Sequence, residues 1–360
     1  MDGVNDTDVA GPRLPALPAS HPDRRLVGWV VAVSMAVALA PPLVRRAAGV
    51  LWPVQRRLLE EPWADRMRLL VVEGVCIAGV FFIGATLGSF LNVVVHRLPR
   101  GRSPLQGRSH CPACGHQIRA RDNVPILGWL RLGGRCRDCG VLIAARYPIV
   151  EAVCGGLVLL LFTTEWLSGG ANIPVRPPSP SSGLEWITLE PRADLVGLFL
   201  FHAATLLTLL VWMLVAADGG RLSARHVARM LAIVTGLTVV WPRLHPVPVL
   251  PGAPSAPAWL VAGLAVAVVG MAVGGLLGAL AGRFVGQAWW PPAALALWGA
   301  ACGWQAALGT TLVWAVLAVL DRLAGRLTAW LTLPAPWLCL VAAVIHLVGW
   351  RALHAALGTW

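Results

Sequence analysis

Lysine is missing from this chain altogether, so the 29 Lys and Arg residues are all arginine. Charge of either sign is sparse, 13% of 360 residues, and tyrosine occurs once. So few charges exclude an ordinary water-soluble globule, which carries about a quarter of its residues charged. No Gly-x-Gly-x-x-Gly stretch is present, which argues against a loop of that kind cradling a dinucleotide. What fills the space is apolar: 57% of the residues are hydrophobic, and the mean hydropathy is +0.69. That is the composition of a membrane protein. The net charge of +12 raises nucleic acid as a partner. The arginines, however, sit in short loops between apolar runs, where the positive-inside rule accounts for them. The 18 tryptophans suit interfacial belts better than a base-stacking platform, and no nucleic-acid partner is expected.

Cysteine is scarce too, but half of it is concentrated. Cys111-Pro-Ala-Cys114-Gly115 is followed, after twenty residues, by Cys136-Arg-Asp-Cys139-Gly140. Each CxxC turn presents two sulfurs to one side, and two such turns complete a tetrahedron. The glycine after each pair permits the tight backbone such turns need. This predicts a four-cysteine zinc knuckle, with two disulfides or four unpaired thiols as the alternatives. His110 and His116 flank the first pair and could substitute as ligands, although four cysteines suffice. The remaining cysteines, Cys76, Cys154, Cys302 and Cys339, lie in apolar runs and read as inert buried thiols.

Along the chain, residues 1–24 are polar, rich in Pro and Asp, and read as a disordered tail. Residues 25–68 form an extra N-terminal membrane or interfacial segment, with an apolar run from Leu26 to Leu43 read as a spanning or signal-anchor helix. A long apolar helix from Leu69 to Val95 follows. Residues 96–146 then hold ten arginines against two acids, Asp122 and Asp138. This asymmetry places the cysteine island in the cytoplasm, where reducing conditions favour zinc thiolates over disulfides. The six arginines of 45–68 then lie on the disfavoured side, unless the first run does not span. Further apolar runs occur at Tyr147–Leu167, Leu195–Ala217 (ending at Asp218), His226–Trp241, Trp259–Gly282, Pro291–Thr311 with Leu312–Leu320 as a hairpin or bent pair, and Trp330–Trp350. The expectation is an all-α polytopic membrane protein of about eight or nine spans, carrying a small cytoplasmic four-cysteine zinc-knuckle loop domain. Residues 69–151 hold the first helix and that domain, and residues 152–360 the multi-span remainder. The spans show almost no polar residues at mid-depth, which disfavours a transporter.

Between residues 84 and 151 a string of motifs runs in order: Gly88-Ser-Phe-Leu-Asn-Val-Val-Val-His-Arg-Leu-Pro99, Arg108-Ser-His-Cys-Pro-Ala-Cys-Gly115, Asp122-Asn-Val-Pro-Ile-Leu-Gly-Trp-Leu130, Gly134-Arg-Cys-Arg-Asp-Cys-Gly140 and Arg146-Tyr-Pro-Ile-Val-Glu151. This stretch resembles the prepilin leader peptidase and N-methyltransferase family. The resemblance implies a bacterial inner-membrane enzyme. Such an enzyme cuts the leader from type IV prepilins or pseudopilins at the cytoplasmic face and methylates the new N-terminal amine from S-adenosylmethionine. Its peptidase is an intramembrane aspartic protease, in which one carboxylate deprotonates water while the other protonates the scissile carbonyl.

The resemblance puts Asp218 in the place of the first acid; an ordinary interfacial Asp paired with Arg221 or Arg225 is the plainer reading. The Pro usual some seven residues on is replaced by Ser223-Ala224-Arg225. The second acid, which the family carries in a Gly-Asp motif opening a later helix, is missing. Counting back from Gly299-Ala-Ala-Cys-Gly-Trp304 puts Trp290-Pro291-Pro292-Ala293 there. Asp321 is the other acid downstream and a candidate substitute. Without a partner, a lone Asp cannot split acid and base roles. A cleaving enzyme and a non-catalytic assembly scaffold on the same fold therefore both remain open. Glu151, at the start of a span, is a further candidate acid, and His96 and Arg97 read either as residues near a methyl-transfer surface or as interface anchors.

Overall fold

Hydrophobic runs long enough to cross a bilayer become helices, since only a helix satisfies its own backbone there. The computed structural model describes residues 62–107, 109–176, 184, 192–245, 247, 259–327 and 333–356. The expected tail, the Leu26–Leu43 run and most of the 45–68 segment lie outside the described residues. The helices are α1 (Trp63–Arg97), α2 (Leu127–Arg131), α3 (Arg146–Leu161), α4 (Ala193–Ala217), α5 (Ala224–Val240), α6 (Trp259–Val285), α7 (Trp290–Cys302), α8 (Trp304–Leu327), α9 (Ala335–Val348) and α10 (Trp350–Ala356). Among the described residues no strand forms; two isolated bridges, His110 with Gln117 and Arg135 with Leu142, are the extended pairing present. Among the described residues five helices are long and apolar enough to cross a membrane, or up to six if the bent α9–α10 pair counts as one span, against the eight or nine expected over the whole chain.

The first hairpin, α1 against α3, carries the cysteine island between its ends. Its helices touch because glycine leaves room: a Cβ at Gly88 would lie 2.7 Å from the Glu151 Cα, and one at Gly155 would lie 2.7 Å from the Phe81 ring. Such small-residue contacts replace the hydrophobic drive that lipid does not supply. α4 is the hub, with 78% of its apolar window buried against 17% for α1, which therefore lines the outside of the bundle. Trp212, Leu210 and Met213 are sealed in its C-terminal half. α6 and α7 form a second close pair, joined at Gly282 and Gln287.

Two boundaries differ from the expectation. The 291–320 stretch breaks at Gly303, not at Thr311. There φ is 92° with ψ 168°, a conformation open to glycine and strained for other residues, so α7 stops at Cys302 and α8 starts at Trp304. The last run starts at Ala335, since Pro334 caps the helix and cannot lie inside it. The ends of α1, α4 and α6 and the starts of α3, α5 and α7 collect at one face, here the island face. The turn after α3, His245 and α10 lie at the opposite face.

Candidate functional site

The two knuckles are built by the same three backbone bonds. In the first, Cys111 N–H donates to His116 O, Gly115 N–H to Cys111 O and Ile118 N–H to Ser109 O, each at 2.9 Å. In the second, Cys136 N–H donates to Val141 O at 2.8 Å, Gly140 N–H to Cys136 O at 2.9 Å and Ile143 N–H to Gly134 O at 2.7 Å. Gly115 and Gly140 take φ of 73° and 70°, which closes each turn.

The four sulfurs converge, all within 4.8 Å of one another. Cys111 and Cys139 Sγ are 3.8 Å apart. A disulfide needs about 2.05 Å, whereas four sulfurs at about 2.3 Å from one zinc stand about 3.8 Å from each other. The set therefore fits a structural zinc, and all four cysteines are free thiols. The Cys139 and Asp138 backbone N–H groups hold the Cys136 thiol down to about 7, towards the thiolate a metal takes. The Val141 N–H also favours a Cys139 thiolate, but desolvation and the three neighbouring sulfurs push that thiol up to about 12. Crowded sulfurs resist sharing negative charge until a cation enters.

Both acids of the island are structural. Asp122 accepts from Arg137 Nε and Nη2, each at 2.7 Å, and from Arg131 Nη2 at 3.0 Å. Its side chain is 4% exposed, and the Arg137 guanidinium holds its carboxyl far below the usual range. Asp138 pairs with Arg119 at 3.1 Å. Each acid thus ties one knuckle to the segment that follows the other. Arg97 donates to the Ser103 and Gln106 carbonyls and closes the loop after α1, which makes it an anchor, while His96 stands exposed at the helix end.

Glu151 also anchors. Its Oε2 accepts from the Ile126 N–H at 2.6 Å, and Ser89 of α1 bonds the same carboxylate. Ile126 has φ 62°, a strained value for a β-branched residue. The Glu151 bond fixes this strained loop onto the α1–α3 hairpin.

Asp218 caps the C-terminus of α4, 2.6 Å from Arg146 Nη1. The partner is neither Arg221 nor Arg225, because the first turn of α3 packs beside the last turn of α4 and brings Arg146 closer. A cleft of about 280 Å³ opens there, lined by Ala216, Gly219, Gly220, Arg221 and the loop Gln287–Trp289. The lining holds no acid. α7 opens at this cleft with Trp290 and Pro291, both buried. Asp321 is engaged elsewhere: its Oδ1 accepts the Leu333 N–H at 2.7 Å, at the chain's approach to α9. Asp218 has a guanidinium and Asp321 an amide, where a dyad would give them each other. Ser223 caps α5, its Oγ accepting the His226 N–H at 3.2 Å, and so fills the place of the absent Pro.

The bundle buries three ionisable side chains that the sequence reading did not single out, Glu165, His202 and His346. The sequence signal was two histidines and a glutamate inside apolar runs, too isolated along the chain to read as a group.

Residues 82–165 match the family model of the bacterial peptidase A24 N-terminal domain. A prepilin leader peptidase/N-methyltransferase of Myxococcus xanthus is 50% identical over 76 residues, covering 21% of this chain and 23% of that protein. A type 4 prepilin-like proteins leader peptide-processing enzyme of Escherichia coli is 43% identical over 110 residues, 26% of this chain and 40% of the relative. A prepilin leader peptidase/N-methyltransferase of Pseudomonas aeruginosa is 38% identical over 113 residues, 24% and 39% respectively. The matched part of the chain thus spans well under half the length of these curated relatives. No solved structure matches the chain. The matched segment contains the island, the second half of α1 and all of α3, and Asp218 and the 287–293 loop lie beyond it.

Proposed function

We propose that this is a multi-pass bacterial inner-membrane protein that handles type IV prepilin or pseudopilin leaders at its island face. On this reading the island face is cytoplasmic, as its arginines suggest, and carboxylate-dyad cleavage is lost. Methyl transfer from S-adenosylmethionine to a prepilin amine is the chemistry that remains. The relatives' names support the substrate class. The observation that carries the loss is the cleft beside Asp218, where the helix expected to supply the second acid opens with Trp290-Pro291 and Asp218 is bound to Arg146. Hydrolysis needs two carboxylates sharing a proton. Methyl transfer needs no such pair; S-adenosylmethionine, when bound, would supply the methyl group.

The test uses purified full-length protein and two synthetic peptides, one with its leader and one without. Both are incubated with isotope-labelled S-adenosylmethionine and read by mass spectrometry. The expected result is label on the leader-free amine and an intact leader peptide. No label on either peptide, with binding of both retained, would remove the methyl-transfer assignment.

A further inference from the structure

The polar groups that the reading above does not use lie in the half of the bundle away from the island. Glu165 Oε1 and His202 Nδ1 pair at 2.7 Å with both side chains fully buried, and neither lines the cleft at the opposite face. That cleft, of about 330 Å³, is lined by Val175, Arg176, Asp194, Arg243 and His245 among others. Arg176 and Arg192 both pair with Asp194, the second at 3.3 Å. Arg243 stands exposed in the short turn Pro242–Leu244 that follows α5, and has no ion pair among the described residues. Three arginines thus meet one carboxylate, and the excess positive charge attracts an anion. The island already expresses the asymmetry that gathers arginine at one membrane face. A cationic cleft at the other face has a separate cause.

One wall of this cleft is fixed in advance. Val175 has φ 62°, a strained value for a β-branched residue that persists only where its surroundings impose it. Arg351 of α10 imposes it, because its guanidinium donates to the Gly170, Ala171, Ile173 and Arg176 carbonyls at 2.6 to 3.2 Å. Asn172 adds a bond from its Nδ2 to the Leu347 carbonyl at 2.9 Å. Residues 170–176 are thereby pinned to α9 and α10, and a wall ordered before binding lowers the entropy lost on binding. His245 is held too, its Nε2 donating to the Ala300 carbonyl at 2.9 Å. Burial pushes this imidazole down to about 4, so it adds no charge to the cleft at neutral pH.

The depth of the cleft identifies the anion. Val240, the last residue of α5, is 76% exposed and Trp241 after it 39%. In a bilayer such side chains face lipid, and tryptophan marks the level where acyl chains give way to headgroups. Arg243 follows two residues later, at the level of the lipid phosphates. We infer that this cleft holds the phosphate of an anionic phospholipid in the leaflet at the opposite face, with Arg243 and Arg176 as its donors. A guanidinium has five N–H groups, so Arg176 can hold Asp194 and still donate to a phosphate. A zwitterionic headgroup fits less well, because its ammonium meets the same arginines. The bound lipid bridges the connection between α3 and α4, which carries Arg176, to the turn after α5, which carries Arg243.

Native mass spectrometry of the full chain in detergent, titrated with phosphatidylglycerol or phosphatidylethanolamine, tests this. Phosphatidylglycerol should bind more tightly than phosphatidylethanolamine and should raise the melting temperature. Arg243→Gln should weaken phosphatidylglycerol about tenfold, the loss expected for one hydrogen bond to a charged group. Its melting without lipid should stay unchanged, since the side chain is exposed. Arg283→Gln removes an equal charge from the exposed end of α6 at the island face and should bind as wild type does. Equal losses in the two variants would show diffuse attraction of an anionic lipid to a basic protein and overturn the proposal. So would equal affinity of the wild type for the two lipids, a comparison that needs no variant to fold. Displacement of phosphatidylglycerol by inorganic phosphate or glycerol phosphate at matching concentration would make this a site for a soluble phosphate and overturn the lipid assignment.

Discussion

Asp122 illustrates how much one side chain can carry in a domain without a hydrophobic core. Three guanidinium nitrogens hold its carboxylate, and the second knuckle hangs on Arg137. Because its pKa is depressed on folding, its contribution is full above the unfolded carboxylate value of about 3.9. It is lost as pH falls below that towards the folded value. Asp122→Asn should therefore loosen the knuckles at neutral pH, seen as faster amide exchange over 134–143. The difference from wild type should vanish in acid; a difference that persists there would rule out the ion pairs as its source. The sulfurs give a simpler expectation. Metal analysis under reducing, chelator-free conditions should return one zinc per chain, and Cys136→Ser should lose it. A metal-free wild type would contradict the site. The cysteines were legible in the sequence because CxxC spacing is local chemistry. Asp122 was legible only as a motif member, because its partners lie 9 and 15 residues away on a fold the spacing does not specify.

At the scale of the helices, glycine decides the packing. A Cβ at Gly274 of α6 would fall 2.0 Å from the Leu295 carbonyl oxygen of α7, while one at Gly79 of α1 meets nothing within 4 Å. Gly274→Leu should lower stability by about 3 kcal/mol or more through forced separation of the two helices, and Gly79→Leu should be near neutral. Thermal melting in detergent distinguishes them, and equal losses at both positions would refute the contact. Hydropathy located the long spans well, since each must match the bilayer's thickness. It missed the break at Gly303, which depends on a single dihedral inside an apolar run. It did separate two helices there, but set the break at Thr311, past the end of the 13-residue α7.

For the molecule as a whole, the island and the cleft were unequally legible. The island arises from neighbours in sequence and could be read directly. That residues 287–293 hold no acid could be read by counting, and the structure then put this loop beside the cleft next to Asp218. The Arg146–Asp218 pair joins residues 72 apart, and the Glu165–His202 pair joins residues 37 apart. Nothing in either local pattern signals the other member, so only packing reveals them.

The central claim is that a well-kept leader-handling domain sits on a membrane bundle without an aspartic dyad. The most direct measurement is leader removal by the purified full-length protein, alone and as Asp218→Ala and Asp321→Ala, with the peptide products resolved by mass. The expected result is an intact leader in all three samples. Cleavage by the wild type that both substitutions abolish would contradict the account, and would make Asp218 and Asp321 the dyad.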